Sequence, residues 1–222
     1  MNLWVAREKS LIWLDNELSQ EGKALQEGFD YLESIGEIFE QISDREGGNL
    51  VGQFCRICVV TLAKFDHLLL ASYSLMLDAL AQEAGALLRP LIETYELLVY
   101  FRLDISRVDK ILDGKLPTAG AIAKIISGDF QNLREYLNDN ASHFSYKPES
   151  IRHLFGLNAK VKPIPTHSLK VLRTNLTLLN AFQAFMLIES VNCLFATGFD
   201  ANSLANEIEN WRDNCTTLFK LD

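Results

Sequence analysis

Proline and glycine are scarce in this chain, at 5 and 12 of 222 residues. A β-sandwich or barrel needs a turn roughly every 8–12 residues, and so few breakers do not supply them. No stretch of useful length alternates apolar and polar residues, and no internal repeat is present. A basic block is missing as well. Acids outnumber bases by 29 to 21, for a formal net charge of -8. Such a chain is repelled by phosphate backbones, which argues against general nucleic-acid binding. The N-terminal MNLWVAREKSLIWLDNEL lacks the apolar core of a signal peptide, because Arg7, Glu8 and Lys9 fall where it would run. The longest apolar candidate for a membrane span, 175–199, carries Asn175, Asn180, Gln183, Glu189 and Asn192. A bilayer helix would have to satisfy all of these without water, so a buried central helix is the better expectation. Together these absences predict a cytoplasmic chain with no membrane segment.

Metal and cofactor signatures are equally sparse. Cys55-x-x-Cys58 sits inside the helical run QFCRICVVTLAKF, and no second pair follows at finger spacing. With Cys193 and Cys215 these residues read as buried, inert thiols. The four histidines, His67, His143, His153 and His167, lie in separate segments, and no Glu-x-x-His pair occurs. The phosphate-cradling, dinucleotide, nucleophile-elbow and HExxH motifs are absent too. The sequence therefore calls for no metal and no cofactor.

Helical periodicity is abundant. Apolar residues make up 48% of the chain and charged ones 23%, enough for a sizeable core and a solvated surface. Trp4, Leu11, Leu18, Leu25, Leu32 and Phe39 recur every seven residues, beside a second row of Leu14, Ile35 and Ile42 that Glu21 and Gly28 interrupt. Residues 1–46 thus read as one long helix or a hairpin bending near Gly22, ended by Gly47-Gly48-Asn49. The helical pattern resumes at Leu50, softens at Ser72-Tyr73-Ser74, and continues beyond Asp78, a candidate cap. Pro90 sits inside that next helix, which predicts a kink between Ala86 and Pro90. Residues 104–165 hold glycines and prolines that break them into short pieces at 108–112, 118–126, 130–137 and 148–155. Two long helices, about 169–197 and 201–219, close the chain, with Gly198 stopping the first. The expected fold is all-α: a single helical bundle over 1–222, built of long helices with a short-helix insertion in the middle. A buried Glu189 is expected to take Arg89, Arg102 or Arg173 as its partner.

Two constellations carry possible chemistry. Arg89 and Glu93 are four apart and share a helix face, as an ion pair or as a guanidinium presented to an anion. The run 136–146 offers His143 as a base or ligand, with Tyr136 or Asn140 fixing its tautomer, or else a polar helix terminus. Economy of burial predicts that Arg89, Glu93 and His143 meet in space. These residues also carry a likeness. Ala84, Ala86, Leu88, Arg89, Glu93 and Tyr100, followed by Tyr136, Asn140, Ser142 and His143, resemble bacterial helical domains distantly similar to the HEPN superfamily. The resemblance covers about 50–154 and implies a helical bundle, often a dimer. In active members it implies a metal-independent ribonuclease whose arginine precedes its histidine by four to six residues. This chain departs from that rule: eight residues separate Arg134 from His143, and Asn138 holds the position with four between. Three readings remain. They are a non-catalytic interaction or regulatory protein acting as a homodimer or on a protein partner, a HEPN-like RNA-cleaving or nucleotide-handling enzyme of a defence or toxin system, and a binder of small anionic ligands.

Overall fold

A computed structural model describes residues 4–137, 155 and 166–218. Every described element is helical, as composition and periodicity require. The long helices are α2 (Ser19–Glu46), α3 (Leu50–Leu77), α5 (Leu88–Arg102), α9 (Leu169–Ala196) and α10 (Asn202–Leu218). Shorter ones are α1 (Val5–Asn16), α4 (Ala81–Ala86), α6 (Asp109–Leu112) after a 3-10 turn at Ile105–Val108, α7 (Ala119–Ile125) and α8 (Gln131–Leu137).

Local chemistry explains many boundaries. Asn49 starts α3 by accepting the Gly52 amide at 2.8 Å, and Thr118 and Ser168 accept the amides of Ala121 and Val171 to open α7 and α9. Gly198, at φ +82°, follows the end of α9 as expected. Other boundaries differ from the sequence reading. The first bend lies at Glu17–Leu18 rather than near Gly22, where the Leu18 amide folds back onto the Trp13 carbonyl at 2.8 Å and the Leu18 side chain is buried. Ser72–Ser74 does not interrupt α3, because Ser72 is buried and donates to the Ala84 carbonyl at 3.2 Å. Asp78 caps nothing ahead of it; its carboxylate receives Arg7 of α1 at 2.6 and 2.7 Å. The expected kink is a full break. Leu87 separates α4 from α5, and Pro90 falls in the first turn of α5, where its missing N–H leaves no intrahelical bond unmade.

α2 and α3 pack side by side along their lengths, α9 lies across α2, α3 and α5, and α5 covers α3. Phe39, Phe54, Phe65, Tyr100, Phe101 and Met186 fill the space between them. Leu18 to Phe39, the last four residues of the seven-residue seam, are buried here, whereas Trp4 and Leu11 are exposed. The two interruptions of the second row both have structural work. Glu21 takes Arg173 of α9 at 3.0 Å. Gly28 lets α9 come close: a Cβ there would stand 2.4 Å from Gln183 Oε1, and Gln183 Nε2 donates to the Leu25 carbonyl at 3.1 Å. α9 is long and apolar enough to cross a membrane by length and composition, with mean hydropathy 1.4, and 61% of that window is buried inside this fold.

Candidate functional site

Arg89, Glu93 and Glu96 fall at i, i+4 and i+7 of α5, on one face of a largely apolar helix. Arg89 Nε donates to Glu93 Oε1 at 3.0 Å, and both side chains keep contact with solvent. This bears out the expected pairing. Glu96, one turn further on, is only 1% exposed and pairs with Arg134 of α8. Burial raises the Glu96 pKa, the Arg134 charge pulls it back, and Glu93 adds to the rise. Two more buried atoms of this pair, Glu96 Oε1 and Arg134 Nε, have no hydrogen-bond partner. They are an acceptor and a donor, so the pair is held through one contact, Arg134 Nη2 on Glu96 Oε2.

The region that sequence alone reads as short helices and turns roofs this pair. α7 and α8 both pack on α5. Between them lies a cleft of about 470 Å³, bordered by Gly120, Lys124, Ser127, Gly128, Gln131 and Arg134. A Cβ at Gly128 would come 2.7 Å from Glu96 Oε1, so a larger residue there would displace the Glu96 carboxylate. Ser127 is held in the left-handed region at φ +53°, and the Gly128 amide closes the end of α7 on the Ala123 carbonyl at 2.9 Å. Glu96 lies under Gly128, so it orients Arg134. Arg134 and Lys124 are the charged groups that border the open cleft.

Of the residues the sequence singles out, the structure joins Arg89 to Glu93. Tyr136 lies on α8 with its ring largely exposed. Asn140 and His143 lie outside the described residues, and with them the expected meeting of Arg89, Glu93 and His143. Glu96 was missed, and Arg134 drew notice only through its spacing to His143. The signal for Glu96 was present: it is an acid on an apolar helix, the same reasoning that singles out Glu189. That residue does find one of its three expected partners, Arg102 of α5, with Asn192 donating from 3.5 Å. Burial raises the Glu189 pKa, against the hydrogen bond and charge of Arg102.

All four cysteines are buried and unbridged. Burial pushes Cys55 and Cys215 up to about 11, and burial with the adjacent Cys193 raises Cys58 as well, so these three thiols are protonated at neutral pH. Among the described residues no three His, Cys, Asp or Glu side chains are grouped to hold a metal ion. Comparison with protein-family models, with curated proteins and with solved structures finds no match to this chain, so its reading rests on its own residues.

Proposed function

We propose that this chain is a non-catalytic helical interaction or regulatory protein of the cytoplasm, working as a homodimer. The observation that carries the reading is the divided seam. Leu18, Leu25, Leu32 and Phe39 are consumed by the chain's own core, while Leu11 stands 46% exposed on α1. Val5 and Ile12, also seven apart and exposed, widen the same face into an apolar patch two turns long. The buried acids, by contrast, are spent inside the fold: Glu21, Glu96 and Glu189 each hold an arginine from another helix.

Light scattering at tens of micromolar tests this. The expected mass is twice 25.1 kDa, returning to the single mass in Leu11→Glu with an unchanged helical circular-dichroism spectrum. A wild-type monomer at that concentration defeats the dimer. The HEPN-like enzyme is the rival, read by a second measurement: single-stranded RNA incubated with the protein is expected to stay intact. Cleavage that disappears in His143→Ala would replace this proposal with the enzyme.

A further inference from the structure

α2 and α3 are equally long, 28 residues each, and lie side by side, yet they meet water differently. Every exposed position of α2 is polar, as a solvated helix face requires. α3 instead exposes Val60 at 69% and Leu70 at 55%, together with Ala63 and Ala71. The exposed residues fall in rows of seven: Val60 with His67, Ala63 with Leu70, and Lys64 with Ala71. They form one stripe, and an uncovered apolar stripe marks a contact face.

Two of these rows continue past Ala71, to Ser74 and Asp78, and there α1 takes them over. Arg7 of α1 donates from Nη2 to Ser74 Oγ at 2.8 Å and from Nε to Asp78 Oδ1 at 2.7 Å. α1 therefore lies on the C-terminal end of the stripe and stands above it as a step, leaving Val60–Ala71 as a bare ledge beside it. The ledge spans 12 residues and so does α1, about 18 Å each at 1.5 Å per residue.

The chemistry of the two surfaces matches as well. On α1, Val5, Glu8, Ile12 and Asp15 follow at i, i+3, i+7 and i+10, with Leu11 beside them, and all are exposed. Lys9 is drawn away over the Trp13 ring, 4.6 Å from its centroid. The charged residues exposed on α3, Arg56 and Lys64, are both basic. α1 laid on the ledge thus joins apolar to apolar and acid to base. Pairing α1 with α1 would set acid beside acid instead, and ledge with ledge would set base beside base. Area points the same way. A stable dimer buries on the order of 800 Å² on each partner, more than a patch two turns long supplies.

We infer that the outer face of α1 in each copy seats on the Val60–Ala71 ledge of α3 in a second copy, so that two reciprocal α1-on-α3 contacts close the dimer. This rests on the dimer proposed above and names the surface that α1 meets. Sedimentation of the full chain measures the dissociation constant. Val60→Glu is expected to weaken the dimer roughly tenfold or more, with an unchanged helical circular-dichroism spectrum. Lys64→Glu, and Glu8→Lys with Asp15→Lys, are each expected to weaken it about threefold. All three charge reversals in one chain are expected to restore it, because acid and base are then exchanged across both contacts. Additive weakening in that chain overturns the inference. So does a Val60→Glu chain that dimerises like the wild type while Leu11→Glu does not, and in that case the α1 dimer stands with another partner surface. A wild-type chain that stays monomeric removes the dimer itself, and this inference with it.

Discussion

At the scale of single residues, three acids on the long helices are drawn into the interior, and each is met by an arginine from another helix. Glu21, Glu96 and Glu189 are nearly inaccessible, while the side chains of Arg173 and Arg102, and to a small extent Arg134, keep surface in water. An arginine can do this because its long aliphatic stem covers apolar surface while its head stays hydrated. Such pairs contribute little net stability, yet losing one partner strands a charge. Arg134→Ala is therefore expected to cost about 3 kcal/mol in urea unfolding, because it leaves Glu96 buried without its cation. Glu96→Gln combined with Arg134→Met should recover most of that loss, since neither buried charge remains. A loss under about 1 kcal/mol for Arg134→Ala would mean that Glu96 reaches water or another cation. The arginine–carboxylate pairing at Glu189 was legible from sequence because a buried acid must be compensated. The choice among three arginines was not, since it depends on where α5 crosses α9.

At the scale of elements, periodicity located the helices and local chemistry located their ends, except where tertiary contact altered the ends. Pro90 illustrates the limit. A proline inside an apolar stripe reads as a kink, but the chain breaks at Leu87 instead, and the proline then sits where its missing donor is harmless. Gly28 illustrates the opposite case. It looks like a gap in a hydrophobic row and is in fact the contact point of α2 with α9, where Gln183 occupies the space a side chain would need. Gly28→Ala improves intrinsic helix propensity by roughly 1 kcal/mol. It is nonetheless expected to destabilise the fold by about 1–3 kcal/mol, because the Gln183 carboxamide is fully buried and bonded to α2. Gln183→Ala in the same chain should remove the clash, so the two substitutions must show strong coupling in a double-mutant cycle. Additive effects, or a stabilised Gly28→Ala, would show that the helices do not approach this closely.

For the whole molecule, stability depends on pH through groups the packing has displaced. Asp66 on α3 is half-buried with its Oδ1 unpartnered, and burial, with the nearby Glu33 charge, pushes its pKa from 3.8 up to about 6. The folded chain thus holds a proton between these values that the unfolded chain has released. Asp66 destabilises the fold fully above about pH 6, and the penalty fades as pH falls toward 4. Asp66→Asn should therefore raise stability at pH 7.5 by about 1 kcal/mol, below the full value of the shift because the carboxylate retains some water contact. The gain should vanish near pH 4, which thermal melts of both proteins across that range would measure. A gain independent of pH would assign the effect to something other than this ionisation.

Fold class, the number and approximate places of the long helices, the burial of the thiols and the existence of compensated acids follow from the sequence alone. They depend on periodicity, composition and the cost of burying charge, all of which are local or pairwise rules. The seam from Trp4 to Phe39 was equally visible, but not which part of it the chain would use for itself. That division and the pairing of Glu96 with Arg134 beneath Gly128 were decided only by tertiary structure. Each is set by how closely two helices distant in sequence approach, and close approach depends on the volumes of every side chain between them rather than on the spacing of residues along either one.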